Sequence, residues 1–212
     1  MFQSFMGTDI EVGPGVLVPR EETELLGRTS LNLIAALEAP LIVDMCCGSG
    51  NVGLGILARR PDIRLYGADL TPDAVAWARR NAARIDQAGL ATYEQGDMFE
   101  ALAAHALMGR ADLIACNPPY ISTHKLETEG AYLLEAEPRE AFDAGPYGIA
   151  IHQRLIAEAP RYLVSGGWLV FEFGAGQERQ MRALLTRSRA YDQPTFYSDP
   201  SGVLRVVAAQ KP

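Results

Sequence analysis

No run in the 212-residue chain approaches the roughly 18 apolar residues of a membrane-spanning helix. The start, Met1-Phe2-Gln3-Ser4-Phe5, also lacks a basic segment followed by an apolar one. No membrane is needed, and the cytoplasm is the expected compartment. Cysteine is scarce: there are three, an odd number with Cys46 and Cys47 adjacent, so no disulfide framework is expected, and no His/Cys spacing suggests zinc or another metal site. The three histidines, His105, His124 and His152, are scattered without triad context and read as surface or loop residues. Positive charge is also short, with 19 Lys and Arg against 26 Asp and Glu; the net charge of −7 repels phosphate backbones and disfavours nucleic acid as a partner.

What remains is the composition of an ordinary globular chain, 48% hydrophobic and 21% charged, long enough for one sizeable core. Ile10 to Val18, with Gly13-Pro14-Gly15 in its middle, reads as a hairpin. From Glu21 a 3.6-residue period takes over, through Leu25, Leu26, Leu31, Leu33, Ile34 and Leu37, and stops before Pro40. The segment 1–40 is therefore an extension packed on a core domain of residues 41–212, the whole forming a single domain.

Within 41–212, apolar runs alternate with helical periods. Strands are expected at Leu41–Met45, Ile63–Ala68, Ala91–Gln95, Leu113–Cys116 and Trp168–Phe173, with helices after residues 51, 72, 102, 151 and 177. Thr71-Pro72-Asp73 supplies an N-cap, a first-turn proline and an acidic second residue. Pro160 is expected to kink its helix, and residues 121–147 show no sustained period. Thr195–Tyr197 and Val203–Ala209 form a terminal hairpin. The pattern predicts an α/β, doubly wound, mostly parallel seven-stranded sheet with an antiparallel C-terminal edge.

In such a sheet, ligands sit at the carboxyl ends of the strands. Those ends carry Asp44 to Gly50, Asp69, Gly96 to Met98, and Asn117 to Tyr120. Gly48 and Gly50 let backbone approach a ligand, and the helix amides beyond them suit a carboxylate or phosphate. Asp69 is spaced to accept from ribose hydroxyls, while the turn lacks the third glycine of a dinucleotide fingerprint and the Lys-Ser/Thr of a phosphate loop, so an adenosine-containing cofactor other than NAD or ATP fits better. Asp97 can accept from an adenine amino group beneath Met98, or is a solvated turn residue. Cys46 and Cys47 serve as small residues where bulk would block a ligand, in preference to a redox pair. Glu172, acidic among apolar neighbours, is either a polar site wall or a paired structural carboxylate.

The most informative stretch is Asn117-Pro118-Pro119-Tyr120. A strand running into two prolines makes a rigid corner, where the Asn117 side-chain oxygen and the Pro118 carbonyl can both accept from a planar –NH2 stacked on Tyr120. A nitrogen held by its N–H bonds keeps its out-of-plane lone pair free for an electrophile. The plain alternative is a strand end with Tyr120 as packing.

With Val16-Leu17-Val18-Pro19-Arg20-Glu21-Glu22-Thr23-Glu24, Asp44-Met45-Cys46-Cys47-Gly48-Ser49-Gly50, Asn117-Pro118-Pro119-Tyr120-Ile121 and Glu137-Pro138-Arg139-Glu140-Ala141-Phe142-Asp143-Ala144-Gly145, the chain resembles the PrmC/HemK family of release-factor glutamine N5-methyltransferases, within the class I S-adenosylmethionine-dependent methyltransferases. The resemblance runs from about Phe5 to Val207 and implies a Rossmann-like methyltransferase fold. It implies that Asp44, Cys46, Cys47, Gly48, Ser49 and Gly50 serve the methionine part of S-adenosyl-L-methionine, Asp69 its ribose, and Asp97 and Met98 its adenine. Arg20 and Thr23 would stand near the methionine end. Asn117 would meet both cofactor and target amide, with Pro118, Pro119 and Tyr120 completing the catalytic corner.

The implied partner is a peptide chain release factor with a Gly-Gly-Gln loop. A small-molecule acceptor and a nucleobase amino group are the alternatives. Three departures stand out: Cys46-Cys47 replaces the usual Gly-Thr, Glu21 replaces a proline, and the family's N-terminal helical docking domain has no counterpart in the sequence.

Overall fold

The structure is a computed structural model that describes residues 1–86, 89–135 and 137–212. The chain opens on an antiparallel hairpin, β1 (Phe2–Phe5) and β2 (Thr8–Glu11), rather than on the expected pairing of 10–18. Its two-residue turn, Met6-Gly7, has positive φ at both positions (49° and 70°), the twist that two-residue hairpins favour. Residues 13–20 are irregular instead: Gly13 lies under the Trp77 ring, and the Pro14 carbonyl accepts from Trp77 Nε1 at 3.2 Å. A short 3-10 turn, Glu21–Thr23, then leads into α1 (Glu24–Leu33).

The main sheet contains β3 (Leu41–Met45), β4 (Arg64–Asp69), β5 (Ala91–Gln95), β6 (Ala111–Cys116), β7 (Leu163–Glu172), β8 (Thr195–Ser198) and β9 (Leu204–Gln210). Their order is β5-β4-β3-β6-β7-β9-β8. Strands β3 to β7 are parallel, whereas β9 runs antiparallel between β7 and the edge strand β8. The antiparallel strand thus lies one position inside the edge. The helices are α2 (Asn51–Leu57), α3 (Pro72–Ile85), α4 (Thr123–Thr128), α5 (Ala150–Glu158) and α6 (Glu178–Ser188).

Three local expectations change. Residues 98–105 form a 3-10 run rather than an α-helix, residues 121–147 contain α4 and further 3-10 turns, and β7 begins at Leu163, ahead of Gly166-Gly167. In place of a kinked helix running to Leu163, α5 ends at Glu158 and a 3-10 turn, Ala159–Arg161, follows, with Pro160 in its first turn, where a missing N–H costs nothing. As the sequence suggested, the Thr71 hydroxyl accepts from Ala74 N–H at 3.3 Å and caps α3.

Each face of the sheet buries its own core. Ile42, Leu65, Leu113 and Val170 pack beneath the hairpin and α1 to α3, with Phe5, Met6, Leu26, Leu54 and Val75. Val43, Met45, Ile114 and Leu169 pack on the other face with Leu102, Leu155, Ile156 and Leu185. Buried on both sides, the central parallel strands β3 and β6 carry near-continuous apolar runs, which is why they were legible. No described helix is long and apolar enough to cross a membrane.

The Cδ1–Cε1 edge of the Tyr93 ring lies against Gly67 in β4 and fills the space a methyl group would need. Gly67→Ala is therefore expected to lower stability by about 1–3 kcal/mol through overpacking, read as a reduced urea midpoint with an unchanged slope.

Candidate active site

The chain runs outward from β3 through β4 to β5, then crosses back to β6 on β3's other side. The carboxyl ends of β3 and β6 therefore diverge into a crevice, the place where open α/β sheets bind ligands. Two adjoining cavities occupy it, of about 310 Å³ and about 420 Å³.

The first is floored by Met45-Cys46-Cys47-Gly48 and walled by Asp69, Leu70, Asp97, Met98, Asn117 and Pro119. Gly50 (φ +79°) caps α2 in the left-handed region, which lets the turn reverse so sharply that Cys47 C=O accepts from Gly50 N–H at 2.8 Å. Asn81, fully buried in α3, holds this turn to the hairpin: its Nδ2 donates to Ser49 O at 3.0 Å and Glu11 O at 2.9 Å, and its Oδ1 accepts from Glu11 N–H at 2.8 Å. Only a polar residue on the inner face of a helix pointed to it.

The predicted residues divide by position. Cys46, Cys47, Gly48, Asp69, Asp97, Met98, Arg20 and Thr23 line the first cavity. Asp44 lies behind the floor, fully buried, where its Oδ2 accepts from Gly53 N–H at 2.8 Å. The α2 amide expected to face a ligand carboxylate thus meets the protein's own. Ser49 is buried and Gly50 lies at the start of α2; neither is in the cavity wall. The Asp69 carboxylate accepts from Gly48 N–H at 2.9 Å and Thr71 N–H at 3.1 Å, and the Asp97 carboxylate pairs with Arg154 of α5 at 2.8 Å.

Burial raises the pKa of Asp44 to about 7, against the opposing Gly53 hydrogen bond and with a contribution from the Asp69 charge; burial likewise pushes Asp69 up. The folded protein therefore holds the Asp44 proton more tightly than the unfolded chain does. The associated stability is complete below pH about 4 and is lost as pH rises through about 7, for a total on the order of 4 kcal/mol. Asp44→Asn is expected to flatten this part of the stability profile in urea titrations between pH 4 and 8. The same burial pushes the Cys47 and Cys116 thiols well above their usual range, so both remain neutral and poorly nucleophilic.

Two covering segments meet over the cavity. Gly15, Val16 and Leu17 come from the arm before α1, and Pro138 to Ala141 from the irregular segment after β6. Glu137 joins them, accepting from Val18 N–H at 2.8 Å and pairing with Arg20 at 2.5 Å. Glu137 was legible only as part of a motif; its partners lie more than 100 residues away.

The second cavity opens beside Asn117, lined also by Pro118, Tyr120, Tyr132, Phe142 and Glu172. Asn117 and Arg20 border both cavities, so the Asn-Pro-Pro-Tyr corner is their partition. Asn117 Nδ2 donates to Thr23 Oγ1 at 3.2 Å, and Tyr120 donates its hydroxyl to Glu172 Oε1 at 3.3 Å. His152 is not a surface residue: fully buried in α5, it bonds the Glu172 carbonyl through Nε2 at 2.9 Å, and burial lowers its pKa to about 4.

A cavity with a desolvated carboxylate, an apolar slot and an adjoining chamber suits an extended cofactor in the first space and an acceptor in the second. The methyltransferase small domain family model matches residues 25–145. The chain is 36% identical over 208 residues to the release factor glutamine methyltransferase of Geobacter sulfurreducens, covering 98% of this chain and 70% of that protein. It is 35% identical over 200 residues to the 4-amino-L-phenylalanine/4-methylamino-L-phenylalanine methyltransferase of Streptomyces pristinaespiralis, covering 90% and 66%. Among solved structures, the hMettl16 catalytic domain with an RNA hairpin superposes with a TM-score of 0.71 at 15% identity, covering 97% of this chain and 76% of that one; this shows the shared fold.

Proposed function

The chain belongs to the release factor glutamine methyltransferase family, within the methyltransferase small domain proteins, and from that premise we propose that it methylates the side-chain amide nitrogen of a glutamine in a peptide chain release factor. The protein is an S-adenosylmethionine-dependent methyltransferase. The observation that carries the proposed acceptor is the Asn117 corner, which touches both cavities at the strand crossover.

The residues of the first cavity fit the cofactor. Asp69 is a desolvated carboxylate with lone pairs left for ribose hydroxyls. Leu70, Met98 and Ile151 offer an apolar slot for a purine, with the Asp97 carboxylate at its edge. A Cβ on Gly48 would meet nothing nearer than Val16 at 3.8 Å, so this floor presents bare backbone to the cavity. Arg20 supplies a cation for the methionine carboxylate. Asp44, Ser49 and Gly50 act from behind, by shaping the turn that Cys46, Cys47 and Gly48 present.

When bound, the cofactor supplies an activated methyl group that needs no further activation by the protein. The chain's work is positioning. Asn117 Oδ1 and the Pro118 carbonyl accept the two N–H bonds of the carboxamide, Tyr120 and Pro119 confine its plane, and the nitrogen lone pair is left facing the first cavity. The extension 1–40 builds one wall and domain 41–212 the other.

A small-molecule acceptor is the second reading, favoured by the similarity to the Streptomyces pristinaespiralis enzyme. Competition in one vessel separates the two: purified release factor and 4-amino-L-phenylalanine are offered together with labelled S-adenosylmethionine. Label on the release factor supports the proposal, and label on the amino acid alone replaces it.

A further inference from the structure

At about 420 Å³ the second cavity is of the size that encloses a whole small ligand, so an acceptor carboxamide fills only part of it. Away from the Asn117 corner its wall is apolar, built by Leu17, Ile121, Leu133 and Phe142. Tyr132 completes it, 68% exposed and therefore on the solvent side.

Three charged residues share this wall: Arg20, Glu22 and Glu172. They are not equally available to an entering group. Arg20 is paired with Glu137 at 2.5 Å, and Glu172 is almost fully buried, with its Oε1 accepting from Tyr120. The Glu22 carboxylate is half-buried and has neither a hydrogen bond nor an ion pair among the described residues. The free charge an acceptor meets is negative.

The surroundings reinforce this sign. Glu22 stands in the 3-10 turn Glu21–Thr23 beside exposed Glu21, and Tyr132 in the 3-10 turn Ala131–Glu135, which ends on exposed Glu135. Neither of those carboxylates has a side-chain partner among the described residues. The cations of the covering segment are already engaged: Lys125 lies 3.9 Å from Glu129, and Arg139 pairs with Glu127 and Asp143. A half-buried carboxylate among apolar walls attracts a cation more strongly than one in open water, and an aromatic face adds to that attraction.

We propose that Glu22 is a specificity-determining residue of the acceptor chamber: it reads a positively charged side chain, lysine or arginine, within two residues of the glutamine that is methylated, while Tyr132 covers that side chain's apolar stem. This rests on the functional reading above and narrows its substrate to a glutamine in a basic segment. Successive residues of an extended peptide advance by only about 3.3 Å, so a neighbour's side chain can enter the same chamber as the carboxamide. The same charges disfavour a free amino acid, whose α-carboxylate would enter a chamber where the one cation is already paired.

The test uses purified release factor in three versions, with the two residues after the glutamine of the Gly-Gly-Gln loop both changed to arginine, to methionine or to glutamate. Wild-type kcat/KM is expected to fall about tenfold from the arginine to the methionine version and further to the glutamate version. The kcat values for the arginine and methionine versions should agree within about twofold, because this contact is the same in the ground and transition states. The preference for arginine should shrink as sodium chloride is raised from about 50 to about 500 mM. Glu22→Gln is expected to bring the three versions within about threefold of one another without changing kcat on the methionine version, and Glu22→Lys to reverse the order of arginine and glutamate.

A wild type without this preference, or a Glu22→Gln that keeps it, overturns the proposal. The acceptors are compared on the unaltered enzyme, so the first outcome does not depend on how a variant folds. A wild type that methylates none of the versions overturns the functional reading instead. Fluorescence anisotropy with labelled loop peptides carrying the same three residue pairs then decides the role of Glu22. Tighter binding of the arginine peptide, lost in Glu22→Gln, supports it, and equal binding of the three overturns it.

Discussion

Asn117→Ala is expected to reduce kcat by about 10²–10³-fold, the usual cost of removing one preorganised polar group from a reacting centre. The fold should survive. Asn117 follows β6 rather than belonging to it, is partly exposed, and gives up one hydrogen bond, to Thr23. The loss should fall mainly on kcat, because the amide nitrogen would still enter the chamber but lose the contact that aims its lone pair. Steady-state kinetics beside a circular-dichroism melt separate the two effects. Full activity in a folded variant would disprove the role of the corner.

Asp69→Ala is expected to weaken S-adenosylmethionine binding by about 10–100-fold, the equivalent of about 1.5–3 kcal/mol for hydrogen bonds to a charged acceptor. Stability should change less than affinity. In the free protein, burial already disfavours the ionised carboxylate, so deleting it removes a desolvation cost along with the bonds to Gly48 and Thr71. Calorimetric titration with S-adenosylhomocysteine, next to a urea curve, measures both quantities. An unchanged dissociation constant would remove Asp69 from the cofactor site.

Much of this architecture is legible in the sequence, because buried parallel strands and amphipathic helices leave local signatures. Leu41–Met45 and Ala91–Gln95 coincide with β3 and β5 as observed. The corner at Asn117 was likewise readable, since two prolines fix the backbone wherever they occur. The N-terminal hairpin was misplaced because Gly13-Pro14-Gly15 is stronger local punctuation than Met6-Gly7. The reason those residues form no hairpin lies 63 residues away, at Trp77.

The same distance limit governs the site. Asn81 reaches back 70 residues to Glu11, and Glu137 reaches 119 to Val18; neither residue's neighbours announce a partner. Glu172 was readable as an anomaly, an acid among apolar neighbours, but not as a wall or a pair. The structure makes it both: its Oε1 is paired with Tyr120, and the residue stands in the wall of the second cavity. Asp44 shows the converse case, a motif residue whose carboxylate faces the helix behind the floor rather than the cavity.

The most direct test of the central claim is transfer of labelled methyl from S-adenosylmethionine to a purified release factor, with the product located by peptide mass spectrometry beside a Gln→Ala control. The account predicts a single methyl on the glutamine of the Gly-Gly-Gln loop, absent from the control. Methyl at another residue, or none from a protein shown by calorimetry to bind the cofactor, would contradict it.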